Sequence, residues 1–492
     1  MKSIQHSIIC CAVLVAATMT TPVFAQEITE PLGGKPPAGS KSSVDDFEYQ
    51  VAYQRAFEAV IWSMPAVSIY GFHRASAELG YEANTIAAWG GPANARLEVL
   101  TPNTVTPYTA AVTDLRRGPV VFEAPAATDK AMLWGQVVNH WQITIAGIGP
   151  LGIDKGKGAK ILLTPPGYDK PIPEGYLEIK SPSYRVALAF RAIPTPKGTN
   201  ADAIALNKKM KLYYLDDPKP TRFVDPLKVR YPTLPRYDER WFEDLYAIVT
   251  TEEVMPRDKV MMGLLKTIGI QKGKPFKPDV KTKKAMRQAA IDAYYYMQTM
   301  YVKGLPEELW WKDRRWRDLF VPTDPAGGFK WDLEDMVDYD RRAVHPWFNA
   351  IFFPPVVKKR PTTMYLVTSR DVNGAVFEAG KTYSLTVPKE VPVSKFWSLT
   401  IYDFETWSLI YNPLNRSGLS SRQLDSMKKN SDGSVTLYVG PKAPKGLETN
   451  WIPTAGKTPF FMFRAYGPTE AFYNKTFKMG DVEFVKDFEK VK

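Results

Sequence analysis

Asn139-His140-Trp141-Gln142 leads through a short apolar run into Gly147-Ile-Gly-Pro-Leu-Gly-Ile-Asp-Lys-Gly-Lys-Gly-Ala-Lys160, followed by Ile161-Leu-Leu-Thr-Pro-Pro-Gly-Tyr168. This reads as strand, long glycine-lysine loop, strand and turn. Glycines at 147, 149, 152, 156 and 158 let the backbone turn repeatedly and present N–H groups. With Lys155, Lys157 and Lys160 they make an anion site conceivable, against the plainer reading of a solvated hairpin loop. Gly147-x-Gly149-x-x-Gly152 matches a dinucleotide fingerprint only formally, because two more glycines follow where a helix should open. The phosphate-loop pattern also fails, since Gly158 follows Gly156-Lys157.

Outward from this stretch the pattern is short strands. Expected strands are 119–123, 132–138, 142–146, 161–164, 176–180 and 184–193. In Tyr184-Arg-Val-Ala-Leu-Ala-Phe-Arg191, Tyr184, Val186, Leu188 and Phe190 share one face, and Arg185 and Arg191 lie on the other. A helix should enter this region from Ser43, with Asp45 and Asp46 in its first turn and an apolar stripe at Val51, Ala52, Ala56, Ala59 and Val60. Pro65 should kink or end it, leaving His73 just beyond.

From Arg236 the period changes to helical, over 238–254, 258–268 and 279–301, with Asp279 as a cap. Lys272, Lys274, Lys277, Lys281, Lys283 and Lys284 make a basic cluster there. Asp332 to His345 is the densest ionic segment, and a helix across it would favour internal ion pairs over a cation site. Strands return at 364–368, 381–387, 396–402, 434–439 and 460–466. Asn373-Gly374 and Asp432-Gly433 supply turns. The fold class is therefore α+β: two β-rich domains, sandwich or jelly-roll-like, joined by a helical segment. The expected division is 1–25 signal peptide, 26–43 flexible leader, 44–235 N-terminal helix plus β domain, 236–350 helical connection and 351–492 C-terminal β-sandwich.

Lys2, an apolar stretch from Ile8 to Ala17 and the small-residue end at Ala25 read as a secretory signal, so a periplasmic or secreted product is expected. Both cysteines, Cys10 and Cys11, fall inside it, which removes disulfides, thiol catalysis and zinc–thiolate sites from the mature chain. The net charge of +12 suits acidic substrates or anionic envelope polymers. The cations are dispersed, so nucleic acid is not implied. No later stretch is long enough to span a bilayer. No cofactor motif or metal-ligand spacing is found, and a homo-oligomer is compatible with the sequence.

Several motifs carry a resemblance. Thr101-Pro-Asn-Thr-Val-Thr-Pro-Tyr108, Gly118-Pro-Val-Val121, the Asp154-Lys-Gly-Lys-Gly loop, Pro165-Pro-Gly-Tyr168 and Ser181-Pro-Ser-Tyr-Arg185 resemble the bacterial domain-of-unknown-function family numbered 1254. Lys381-Thr-Tyr-Ser-Leu385, Val391-Pro-Val-Ser-Lys-Phe-Trp-Ser398, Thr400-Ile-Tyr-Asp403, Asp432-Gly-Ser434, Asn450-Trp-Ile452 and Phe463-Arg-Ala-Tyr-Gly-Pro468 resemble its usual C-terminal companion, numbered 1214. The pairing implies an exported protein with two β-rich domains joined by helices. Many members carry aspartate where Val105 stands, and members with this loop often carry an acidic residue where His140 stands.

His140 is the acid/base candidate, because an imidazole titrates near neutrality, and Asp403 is a second catalytic candidate. Asn103, Tyr108, Trp141, Lys157, Trp397, Tyr402, Arg464 and Tyr466 are the substrate-binding candidates, since arginine, aromatic faces and polar groups line sites for polar ring or carboxylate ligands. Two functions are expected: an exported hydrolase or lyase acting on a small or oligomeric polar substrate, or a non-enzymatic envelope protein binding anionic glycans or a partner.

Overall fold

Alternation along Arg185–Pro194 sets the first layer. Val186, Leu188, Phe190 and Ala192 point inward and are buried, while Arg185, Ala187, Ala189 and Arg191 take the opposite face, as the period of two requires. This strand is central in a six-stranded sheet ordered Phe223–Val224, Ile86–Ala88, Tyr108–Asp114, Arg185–Pro194, Ala131–Val138, Thr144–Ile148. A four-stranded sheet, ordered Lys211–Tyr214, Val120–Ala124, Ala159–Thr164, Tyr176–Lys180, packs on it. Phe122 stacks on Phe190 across the gap, with centroids 4.8 Å apart. Each such buried side chain contributes about 1.5–3 kcal/mol. A short helix, Asn200–Asn207, absent from the sequence reading, closes one side through a Thr199–Asp202 capping box.

The computed structural model describes residues 33–304, 309–319, 331–349 and 363–488. The expected signal segment, 1–25, lies outside the described residues, as does the leader up to residue 32. From Glu48 onward the chain forms one unit. No helix among the described residues is long and apolar enough to cross a membrane.

The second sandwich repeats the scheme. Its five-stranded sheet runs Arg317–Asp318, Thr363–Thr368, Pro459–Pro468, Val393–Asp403, Gly418–Ser420, and its four-stranded sheet runs Trp451–Pro453, Val435–Gly440, Tyr383–Val387, Glu483–Phe484. Leu366, Leu385, Leu399, Leu437, Phe461 and Phe463 fill the space between them. Trp311 and Trp316 belong to this core.

The helices are Phe47–Glu78, Arg240–Thr251, Lys259–Thr267, Val280–Lys303 and Tyr339–Phe348. They share a third core with the outer faces of both sandwiches, including Trp62, Trp241, Ala289, Trp347, Tyr402 and Phe460. Asp279 caps the helix Val280–Lys303 by accepting from the Thr282 N–H at 2.7 Å. Arg317 and Arg370 both donate to the Val302 carbonyl at the helix end, at 3.1 and 2.9 Å, where cations complement the dipole.

Three expectations change. Phe47–Glu78 continues through Pro65, so His73 lies within the helix. Packing on most sides of residues 59–69 outweighs the roughly 3 kcal/mol that an interior proline costs. The ionic segment is helical only from Tyr339. Asp338 caps it, and the Asp338–Arg341 ion pair spans 3.4 Å. The glycine-lysine loop is not a hairpin, since it leaves the edge strand of one sheet and enters the other. It is held by the Asp154 carboxylate, which accepts the Gly149 N–H at 2.6 Å, where Gly149 has φ of 108°.

Trp407 ties the helical layer to the second sandwich. Its ring lies 4.6 Å from that of Trp347, 4.9 Å from Phe460 and 5.1 Å from Tyr301. Trp407→Ala should lower the free energy of unfolding in urea by about 3–5 kcal/mol, the range for emptying a large aromatic site. A loss below about 1 kcal/mol would show that this aromatic layer does not hold the halves together.

Candidate functional site

Each sandwich presents a cross-strand tyrosine–arginine pair on its outer face. In the first, Tyr108 lies opposite Arg191, and the Arg191 guanidinium donates to the Tyr108 hydroxyl at 3.4 Å. In the second, Tyr365 lies opposite Arg464, whose guanidinium sits 5.4 Å above the Tyr365 ring. The two pairs are close. Arg191 is an electrostatic neighbour of Tyr365 and Tyr466, and Arg464 of Tyr108.

Arg464 is 1 % exposed. It donates to the Thr400 hydroxyl at 2.9 Å and the Tyr402 hydroxyl at 2.6 Å, and its Nε has no hydrogen-bond partner. Ser398, directly opposite it in the sheet, has an unpartnered buried hydroxyl. Among the described residues no carboxylate pairs with Arg191 or Arg464; their dominant neighbours are tyrosines. Guanidinium stays charged in proteins. Burial holds the hydroxyls of Tyr108, Tyr402 and Tyr466 above the usual phenol range, against the lowering pull of the arginines. All three are therefore protonated at neutral pH and able to donate. At the rim, Lys395 is an electrostatic neighbour of Arg191, and Arg422 covers the Phe396 ring at 3.8 Å. Phe396 in turn stacks on Tyr466 at 4.1 Å.

The turn before Tyr108 places the first sandwich against the second. Asn103 Nδ2 donates to the Tyr466 hydroxyl at 2.8 Å, and the Tyr402 hydroxyl donates to the Pro102 carbonyl at 2.8 Å. Asn103 Oδ1 accepts the N–H of Val105 at 2.8 Å and of Thr106 at 3.3 Å, so the turn is held from within. Thr101, Gln142 and Trp407 have φ of 42°, 60° and 60°, a region costly for branched or bulky residues. Their contacts explain the strain. Thr101 N–H donates to the Trp407 carbonyl at 2.6 Å. Thr101 Oγ1 donates to Asn349 Oδ1 at 2.9 Å, and Gln142 Nε2 to the Asn349 carbonyl at 3.2 Å.

Five nominated residues thus converge: Asn103, Tyr108, Tyr402, Arg464 and Tyr466. Arg191, Tyr365, Thr400 and Lys395 join them without having been nominated. The available signal was the second face of the strand Arg185–Pro194, which carries Arg191. The other nominated residues lie elsewhere. Trp397 points into the second sandwich and stacks on Phe463 at 5.7 Å. Asp403 ends the strand Val393–Asp403, accepting the Glu405 N–H at 3.0 Å, with Lys457 3.8 Å away. Trp141 packs on Trp62 at 5.0 Å in the helical core. Lys157 is exposed, and five loop N–H groups (Gly149, Gly152, Ile153, Lys155, Lys157) already bond within the loop.

His140 belongs to a different cluster. Its ring is 0 % exposed, neither nitrogen is hydrogen-bonded, and Nδ1 lies 3.9 Å from Glu252 Oε1. The preceding strand reaches it at the Arg185 end of Arg185–Pro194, and Trp134 faces Arg191 at the other end. Six residues of strand separate the two ends by about 20 Å. Burial, then Arg185 and His73, hold the His140 pKa well below its ordinary value.

Residues 83–214 match a family model described as Protein of unknown function (DUF1254), and residues 362–470 match Protein of unknown function (DUF1214). Each stretch contains one of the two tyrosine–arginine pairs. The fold is similar to the VPA0106 protein from Vibrio parahaemolyticus, at 19 % identity and a TM-score of 0.52, covering 88 % of this chain and 100 % of that one. An uncharacterized protein from Burkholderia cenocepacia aligns at 12 % identity and a TM-score of 0.37, over 89 % of this chain and 96 % of that one. No curated protein matches the chain.

The buried histidines set a pH dependence. Burial lowers the pKa values of His345 and His73 to about 3, and His140 is also depressed. The unfolded chain takes up protons below about pH 6.5 that the folded chain refuses, so stability is full above that pH and falls as pH drops toward the folded pKa values. Three such groups should remove about 4 kcal/mol between pH 7.5 and 5.5. Glu252, its carboxyl pushed up by burial, opposes this as it protonates. Urea unfolding at the two pH values tests the sum, and His140→Gln should reduce the difference. Equal stability at both would contradict the buried neutral imidazoles.

Proposed function

We propose that this chain, in which a DUF1254 domain precedes a DUF1214 domain, recognises a small anionic ligand between Tyr108, Arg191, Arg464 and Tyr466. One observation carries the reading: two guanidinium groups, one from each sandwich, share the phenols of Tyr365 and Tyr466 as neighbours, and no carboxylate among the described residues pairs with either. A buried charge without a partner is costly. An entering anion supplies the partner and accepts charge-assisted hydrogen bonds from the arginines. The lysine and arginine at the rim add a field that draws anions inward.

Between turnover and binding, the arrangement favours binding. The site groups are hydrogen-bond donors, whereas proton abstraction requires a base within reach of the ligand. His140 lies about 20 Å along the sheet. Export is part of the proposal and is supported by the signal-like Met1–Ala25. The mature chain recovered from the periplasm should begin at Gln26, and a chain retaining Met1 would contradict export.

The ligand reading is tested by thermal unfolding with acetate, benzoate, malonate or inorganic phosphate, and with neutral acetamide. At least one anion should raise the midpoint saturably, and acetamide should not. Arg464→Met and Arg191→Met should each weaken that anion by at least about tenfold. Ligand-free Arg464→Met should melt within a few degrees of the parent, because it loses an uncompensated charge along with its hydrogen bonds. Saturation by no anion, or parental affinity in both variants, overturns the reading.

A further inference from the structure

We infer that the ligand carries two negative charges and bridges the two sandwiches, one guanidinium to each charge; this rests on the anion-recognition reading above. The argument is a charge count with a geometry. Arg191 comes from the first sandwich with Tyr108 opposite it, and Arg464 from the second with Tyr365 opposite it. They share Tyr365 and Tyr466 as electrostatic neighbours, so one pair of phenols lies within reach of both charges.

A monoanion neutralises one guanidinium and leaves the other without a carboxylate partner. A second negative charge removes that residual penalty, which is steeper at Arg464, 1 % exposed, than at the partly buried Arg191. Donors are available for both ends. Arg464 Nε is unpartnered and Ser398 Oγ lies across from it. On the first side, the Thr106 hydroxyl and the Trp89 indole N–H are buried without partners, and the Trp89 ring is 5.2 Å from that of Tyr108. The positions are cross-linked by the Asn103–Tyr466 and Tyr402–Pro102 hydrogen bonds. Both bonds tie the turn before Tyr108 to the strands that carry Tyr402, Arg464 and Tyr466, which limits the spans a bridging ligand can take.

Two chemistries supply two charges, a dicarboxylate with one carboxylate per arginine or a phosphate monoester clamped by both. Calorimetric titration of the full mature chain separates them, using malonate, succinate and glutarate, the monocarboxylates acetate and butyrate, and phenyl phosphate. The best dianion should bind at least about tenfold more tightly than the monocarboxylates. An optimum along the dicarboxylate series identifies a spanning ligand, and preference for phenyl phosphate identifies a clamped one. Arg191→Met and Arg464→Met should each bring the dianion down to monocarboxylate affinity; Lys substitutions at the two positions serve where Met disturbs folding. A monocarboxylate binding as tightly as every dianion, with binding still lost in Arg464→Met, overturns the charge count and leaves anion recognition standing. Absence of any anion binding removes both.

Discussion

A guanidinium group cannot discard its proton to escape burial, as a lysine or histidine can. That constraint governs the meeting of the two sandwiches. Arg464 is 1 % exposed and stays charged, so its surroundings must solvate it. Thr400, Tyr402 and the ring of Tyr365 do so in part. Burial keeps the neighbouring phenols neutral, so none offers the negative charge that would complete the pairing. Sequences shaped for stability alone tend to replace such a group with an apolar one, since well-packed hydrophobic substitutes are often as stable.

The polar surface between the sandwiches is positioned by backbone as much as by side chains. The turn from Thr101 to Thr106 is gripped at Pro102 and Asn103 by two tyrosines from one sheet. Asn349 receives hydrogen bonds from Thr101 and Gln142, both in the left-handed region. Strain of this kind persists only where surroundings over-determine the backbone. Here the determinants come from three separated parts of the chain. The result is a tightly held turn between the two sandwiches, while the glycine-lysine loop is stabilised by its own hydrogen bonds.

Most strands were legible because alternation of apolar and polar positions survives any packing arrangement. Tyr176–Lys180 matches its expected limits, and Arg185–Pro194 has its faces as read. What the pattern does not reveal is what covers the second face. Arg191 reads as a solvent-facing residue of a half-buried strand, yet it is partly buried with Tyr365 and Tyr466 of the second sandwich as neighbours. Tyr402, Arg464 and Tyr466 were recognisable from aromatic and basic motifs, whereas Trp397, one residue out of phase with Phe396, falls on the inner side of the same strand. Pro65 misled for a related reason: local propensity predicts a break, and the packed environment decides otherwise. Thr199 and Asp202 did carry a helix signature, but the eight-residue helix behind them was too short to stand out among strands.

The Asn103–Tyr466 hydrogen bond joins residues 363 positions apart, and this separation bears on biosynthesis. A ribosome delivers Asn103, Tyr108 and Arg191 long before Tyr365, Arg464 and Tyr466 exist. During that interval the first sandwich can assemble its own interior, but its outer tyrosine–arginine face remains bare and wet. Docking of the later half leaves that face partly buried, so whatever water it loses is lost only after the second sandwich has been made.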